Sequence, residues 1–246
     1  LPSYNVQRLP ISDAATITRP ATLRGLPPDN TLILVNGKRR HRASVIAELG
    51  GSLAAGSQGP DISVIPALAI DRVEVLRDGA AAQYGSDAIA GVINFVLKED
   101  REGITAEAKW GEYYEGDGEL WQGAVNVGLP LGDNGFANAT LQVKSSDATS
   151  RSLPRTDAQA LIDLNNFGAS DVEQPAQIWG QPEVDDDVAF FLNSGIELSD
   201  SQELYAFGNY AERAVTGAFF YRNPNARPGV FTNSFSGGER AIITGD

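Results

Sequence analysis

Residues 72–94 read Arg-Val-Glu-Val-Leu-Arg-Asp-Gly-Ala-Ala-Ala-Gln-Tyr-Gly-Ser-Asp-Ala-Ile-Ala-Gly-Val-Ile-Asn. Three kinds of local structure follow one another here. Ile70 to Leu76 reads as a strand, although Asp71, Arg72 and Glu74 fit no simple alternation of buried and exposed faces. Ala80 to Tyr84 can make one helical turn, which Gly85 stops. Gly91 to Leu97 is then a second, largely buried strand. Upstream, the continuous apolar run Thr31 to Val35 predicts a strand buried on both faces, closed by the turn dipeptide Asn36-Gly37. Residues 43–49 are expected to form a short helix ended by Gly50-Gly51. Between Gly50 and Pro60, four glycines and two serines predict a flexible loop. This part of the chain is α+β with a small mixed sheet.

Charge divides the chain at Lys98-Glu99-Asp100-Arg101-Glu102-Gly103. Residues 1–98 carry 10 basic and 8 acidic side chains, a net of +2. Residues 99–246 carry 9 basic and 24 acidic ones, a net of −15. The polar stretch between them reads as a linker, giving two domains, 1–98 and 104–246.

The second region alternates with period two, as β-strands do. Ile104, Ala106, Ala108 and Trp110 oppose Thr105, Glu107 and Lys109. The same pattern returns at Trp121 to Leu129, at Ala137 to Val143 and at Val188 to Leu198. A fifth strand is expected over Glu203 to Arg213, with ambiguous facing. Pro130 to Gly135 and Ser199 to Ser201 are tight turns, whereas residues 146–187 and 214–246 are long and polar. Antiparallel strands of about ten residues, with short turns at one end and long loops at the other, suit an outer-membrane barrel. A soluble meander has the same alternation, so periodicity leaves both open.

Composition excludes other classes. The 246 residues hold 32 acidic and 19 basic side chains, a net charge of −13, which disfavours a nucleic-acid partner. No apolar run approaches the length of a membrane-spanning helix. There is no cysteine, hence no disulfide, thiolate metal site or cysteine nucleophile. There is no methionine either, and the chain is expected to be a processed or excised piece.

The run from Arg72 to Asn94 resembles the plug-domain signature of TonB-dependent outer-membrane receptors. In that family an Arg-Val-Glu-Val-Leu-Arg-like strand leads to a small-residue turn, Tyr-Gly, and Gly-Gly-Val-Ile-Asn. Here Ala90 replaces one of those glycines, and Asp78 is inserted in the Arg-Gly pair. Arg19 to Leu26 resembles the family's earlier Arg-Gly segment, and Thr31 to Arg39 its strand and Asn-Gly turn. The motif residues are Gly25, Asn36, Gly37, Gly79, Tyr84, Gly85, Gly91 and Asn94. Gly25, Gly79, Gly85 and Gly91 suit backbone that needs positive φ or close packing.

The resemblance implies a plug over residues 1–98, then about five strands of a transmembrane barrel over 104–246, with two long extracellular loops. A plugged transporter barrel has about 22 strands, so these five imply a fragment of a longer receptor. A wide, polar lumen must be blocked at rest, which a plug with a polar surface does. The family resemblance implies plug–barrel contacts at Arg24, Arg77 and Glu74. It further implies energy-coupled uptake of a scarce large solute (ferric siderophore, cobalamin or oligosaccharide) and a place in the Gram-negative outer membrane. The implied partners are the solute, membrane lipid, and TonB with its inner-membrane complex, which pulls an N-terminal box that would lie before Leu1. No covalent chemistry or cofactor is needed.

Other features are weighed on their own chemistry. Lys38-Arg39-Arg40-His41-Arg42 could face an anionic solute, with Ser57 and Gln58 on the glycine-rich loop beside it, or could be a solvated hairpin or a plug-to-barrel contact. His41 is the single histidine, so a multi-histidine metal site is impossible, and no nucleophile motif accompanies it. Asp185-Asp186-Asp187 and Glu115 to Glu119 lack calcium-loop spacing and read as solvated acidic loops. Trp110, Tyr113, Tyr114, Trp121 and Tyr221 suit an aromatic girdle at a membrane surface. The rival reading is a secreted β-rich binding or adhesion module. A carboxylate hydrolase using Glu107 or Glu197 has no defined pair of acids to support it.

Overall fold

The computed structural model describes residues 3–6, 17–46, 55–77, 79–153, 155–163 and 180–217. Strands β1 (Tyr4–Val6) and β2 (Ala21–Leu23) form an antiparallel pair. A mixed four-stranded sheet follows from β3 (Thr31–Val35), β4 (Lys38–Arg39), β5 (Ile70–Leu76) and β6 (Gly91–Leu97), in the order β4-β3-β6-β5. Only β3 and β6 run parallel. The turn of helix α1 (Ala81–Tyr84) lies in the crossover between β5 and β6.

The two apolar runs lie at the centre of this sheet because both of their faces are covered. Ile33, Val35, Ile93, Phe95 and Leu97 pack on one side with Ala21, Leu23, Ile65 and Ala69. Leu32, Leu34 and Val92 pack on the other with Ala80 and Ala88. Each large side chain so buried contributes about 1.5–3 kcal/mol. The irregular charge pattern of Ile70–Leu76 has its cause in position: β5 is an edge strand, largely exposed and bulged between Ile70 and Arg72. Gly91 has φ +138°, and a Cβ there would stand 2.4 Å from the Leu76 carbonyl oxygen, so no other residue fits without movement. Gly79 has no such need, since a Cβ there meets only the Ile89 carbonyl oxygen at an ordinary 3.6 Å.

The second sheet is a five-stranded antiparallel meander in the order β11-β10-β9-β8-β7. Its strands are β7 (Ile104–Gly111), β8 (Leu120–Leu131), β9 (Gly135–Ser146), β10 (Glu183–Ser199) and β11 (Gln202–Thr216). Register defines its two faces. One face carries the rungs Ala106–Val125–Leu141–Phe190–Tyr210 and Ile104–Val127–Ala139–Leu192–Gly208. The other carries Thr105–Asn126–Thr140–Phe191–Asn209 and Gly128–Asn138–Asn193–Phe207. The burial is inverted relative to a soluble sheet. Asn126, Asn138, Thr140, Gln142 and Asn193 are buried, while Ile104, Leu141, Phe190, Leu192 and Leu204 are exposed.

Several expectations need correction. Residues 43–46 are irregular rather than helical, and 47–49 lie outside the described residues. Asp185-Asp186-Asp187 belongs to β10 and not to a loop, because pairing with β9 and β11 continues back to Glu183. The loop after β9 is correspondingly shorter and contains helix α2 (Thr156–Asp163). Pro130 lies within β8, and the turn is confined to residues 132–134. The facing of β11 is settled by its register: Tyr205, Phe207, Asn209, Ala211 and Arg213 share the polar, covered face.

Candidate functional site: where the small sheet meets the polar face

The first unit packs against the polar face of the meander: side-chain contacts run to β10 and β11, and the turn Ala67–Ala69 lies against β8 and β9. The apolar contact is narrow. Phe191, 2% exposed, joins the core of the small sheet, and Phe207 packs beside it. Around this point the contacts are polar. Asn36, at the β3–β4 turn with φ +47°, donates from its side-chain amide to Asn193 Oδ1 at 3.2 Å. The Asn36 Oδ1 accepts from the Leu97 amide at 2.8 Å, so one side chain ties β6 to the wall. Asn193 donates in turn to the Lys98 carbonyl oxygen at 3.0 Å. A charged side chain there would strand these partners in a buried setting.

Sequence reasoning misses the least solvent-exposed ion pair among the described residues. Arg213 on β11 donates from Nε and Nη2 to Asp187 Oδ2, both at 2.8 Å. Its Nη1 reaches the other unit, donating to Ser63 Oγ at 3.0 Å and to the Ile17 carbonyl oxygen at 3.2 Å, with Asp61 Oδ2 at 3.7 Å. Asp61 Oδ1 meanwhile accepts from the amides of Arg19 and Ser63 and from Ser63 Oγ. The side chains of Arg213 and Asp187 are 14% and 3% exposed, so this is a desolvated charge cluster and not a surface pair. The alternation already contained the signal: Asp187 has the parity of Ala189, Phe191 and Asn193, and so falls on the covered face with them.

The basic cluster divides among several partners. Lys38 stands 5.9 Å from the Tyr205 ring centroid, and Arg40 donates to Asn209 Oδ1, so both face the meander. Arg39 and Arg42 turn back to Asp87, with Arg39 at 2.8 Å and also bonded to the Tyr84 carbonyl oxygen. His41 is exposed; partial burial, followed by the neighbouring Arg40 charge, lowers its pKa from the ordinary 6.5. Ser57 is buried, and Gln58 is held by Asp29 and by the Ala43 carbonyl oxygen.

Arg24 and Arg77 are exposed, and neither makes an ion pair among the described residues. Glu74 is engaged inside the first unit. Its carboxylate accepts from Asn94 and from Arg72, which together hold its pKa below the usual carboxylate value. Gly25 and Gly85 have positive φ, and the Gly37 amide donates to Asn94 Oδ1 at 2.9 Å. Trp110 and Trp121 are cross-strand neighbours, exposed on the apolar face near the end that bears the longer loops. Tyr113 stacks instead with Arg151 at 5.7 Å, and Tyr221 lies outside the described residues. Among the described residues no His/Cys/Asp/Glu group suited to a metal ion occurs, and no helix is long and apolar enough to cross a membrane.

A small mixed sheet seated on the polar face of an apolar-out meander is the arrangement expected of a plug against strands of a β-barrel. Residues 2–92 match the family model of the TonB-dependent Receptor Plug Domain. The chain is 33% identical over 138 residues to the ferrienterobactin receptor of Escherichia coli, covering 54% of this chain and 18% of that protein. It is 34% identical over 128 residues to the vitamin B12 transporter BtuB of Photobacterium profundum, covering 52% and 19%. The chain thus spans about a fifth of the length of these curated relatives. A crystal structure of the ferric enterobactin receptor PfeA from Pseudomonas aeruginosa, in complex with enterobactin, superposes with a TM-score of 0.64. That match has 21% identity and covers 87% of this chain and 30% of that one, and it speaks for the fold. Residues 2–92 thus match the plug domain of TonB-dependent receptors, and the strands that follow share the fold of the matched ferric enterobactin receptor.

Proposed function

We propose that the protein carrying this chain takes up a scarce large solute across the outer membrane, with residues 1–98 as the plug and 104–246 as barrel strands. The observation that carries this reading is the inverted meander: its apolar rungs face outward, while its polar rungs face the plug. In water such a face would be a severe aggregation liability, whereas in lipid it is the required surface. A secreted binding module would place Leu141, Phe190 and Leu192 inside.

The plug blocks the lumen, and energy relayed by TonB displaces or remodels it once solute is bound outside. The relatives' names make ferrienterobactin and vitamin B12 the first solutes to try. Arg24 and Arg77 are proposed to meet barrel strands other than β7–β11, because those five leave both guanidinium groups exposed. Cells producing the full-length protein should accumulate radiolabelled ferric enterobactin or cobalamin, and a protonophore should stop this. Recovery of the full-length protein from the soluble fraction without detergent would overturn the reading.

A further inference from the structure

The charged stretch Lys98-Glu99-Asp100-Arg101-Glu102-Gly103, between the first unit and the meander, has the composition of a free tether. Its backbone is instead fixed to the wall. The Gly103 carbonyl oxygen accepts from the Gly128 amide of β8 at 2.9 Å, which extends the pairing of β7 with β8. The chain also crosses β8 so closely that a Cβ on Gly128 would stand 2.5 Å from the Asp100 carbonyl oxygen and 2.9 Å from the Glu102 amide nitrogen. Glycine admits that approach of one backbone to another, and no larger residue does without movement.

Arg101 closes this contact. Its Nε donates to the Gly135 carbonyl oxygen at 3.0 Å, and its Nη2 donates to that of Gly132 at 3.2 Å and to that of Asp133. One guanidinium thus gathers three carbonyls at the β8–β9 turn, which its rigid planar fork allows and a single ammonium does not. Glu99, Asp100 and Glu102 flank Arg101, yet among the described residues it pairs with no carboxylate, and its donors go to the wall. The turn is itself joined to β10, where the Glu197 amide donates to the Asn134 carbonyl oxygen at 3.2 Å. The clasp side differs. Beside Asp187 and Arg213 lies a cavity of about 250 Å³, lined by Ser63, Ile65 and Ala67 of the plug, so the plug has room to shift there and none at the linker.

We propose that Arg101 is a positioning residue at the junction of plug and barrel. It fixes residues 100–103 to the wall, so a plug drawn away from the Arg213 clasp turns at Lys98 and Glu99 and stays attached below them. This rests on the reading of residues 1–98 as a plug that moves.

The test is hydrogen exchange of the full-length protein in detergent, followed at two places. The Gly128 amide reports the linker, and the amides of Ile62 and Ser63 report the clasp. Arg213→Ala should release the clasp amides and leave Gly128 protected. Arg101→Ala should do the reverse, accelerating exchange at Gly128 about tenfold, a loss of about 1.4 kcal/mol, with Ile62 and Ser63 unchanged. Arg101→Lys keeps the charge without the fork and should accelerate Gly128 as well. Gly128 indifferent to Arg101→Ala, full protection in Arg101→Lys, or equal acceleration of Gly128 by Arg213→Ala would each overturn the proposal. So would a general loss of protection in Arg101→Ala that takes β3, β6 and Ile62 with it, since a merely structural role predicts that pattern. The exchange needs neither solute nor TonB. Failure of uptake in cells would therefore count against the transport reading and leave the Gly128 result standing, and loss of the Gly128 result would leave uptake measurable.

Discussion

Replacing Arg213 by alanine should loosen the plug from the wall far more than it unfolds the plug. The arginine gives Asp187 two hydrogen bonds at 2.8 Å, and Asp187 is 3% exposed. Removing one partner of a buried ion pair costs about 3–5 kcal/mol, chiefly because the survivor is stranded. The adjoining cavity gives Asp187 some access to water, so the lower end, about 3 kcal/mol, applies here. That penalty disappears when the plug moves away and Asp187 rehydrates. The docking equilibrium therefore absorbs it, by a factor of about a hundred. Hydrogen exchange reads this at the amides of Ile62 and Ser63, which bond to the Arg19 carbonyl oxygen and to Asp61 beside the clasp. Exchange there should rise about a hundredfold in Arg213→Ala, while β3 and β6 stay protected. Arg213→Ala combined with Asp187→Ala should recover most of the protection, since no charge is stranded. Little acceleration in the single variant, or a double variant no better protected than the single, would refute the reasoning.

Three further outcomes are expected. Leu141→Lys should destabilise the barrel by about 2–4 kcal/mol in lipid vesicles, measured by urea titration, because Leu141 sits mid-strand on the outward rung; a near-neutral result would place that face in water. Gly91→Ala should cost the plug at least about 2 kcal/mol, since strained φ and a 2.4 Å approach to Leu76 add together, whereas Gly37→Ala meets nothing within 4 Å and should cost about 1–2 kcal/mol. Denaturant midpoints of the two variants compare them directly, and equal losses would remove the steric argument. His41 should titrate below 6.5 in an NMR pH series, and Arg40→Gln should raise its midpoint part of the way back, leaving the contribution of burial. The sign for stability follows from the lowered pKa: the folded state prefers the neutral imidazole. The contribution of His41 is thus present above pH 6.5 and is lost as pH falls through the folded value.

What was legible in the sequence was the part governed by local rules. The runs Thr31–Val35 and Gly91–Leu97 could only be doubly buried strands, and the period-two segments could only be paired strands. The side on which their apolar residues lie was not legible, because alternation is identical whether lipid or a core covers them. Register and burial supply that answer. Asp185-Asp186-Asp187 was misread for a related reason. Three successive carboxylates look solvated by composition, yet Asp187 shares the parity of the covered Ala189, Phe191 and Asn193, while a register shift before it leaves Asp185 and Asp186 exposed; Arg213 reaches Asp187 from 26 residues away in sequence. The same distance blindness applies to Arg40 and Asn209. A basic pentapeptide gives no hint that Lys38 and Arg40 face the meander while Arg39 and Arg42 turn to Asp87.

The chemistry of the plug–wall contact bears on how a plug can be secure yet releasable. Apolar interfaces are held by area, and separating them exposes all of it to water at once. Here the apolar share is narrow, with Phe191 in the plug core and Phe207 beside it. Among the described residues the polar contacts include Asn36–Asn193–Lys98, Lys38–Tyr205, Arg40–Asn209 and the Arg213 clasp. Polar groups exchange their partners for water at a small net cost per bond, about 0.5–1.5 kcal/mol. Such a contact resists thermal opening because all its bonds must break together, but a force applied to the plug can break them in sequence. On this reasoning Arg213 is the last to yield, because among the described residues it alone bridges Asp187 on the wall to three groups on the plug.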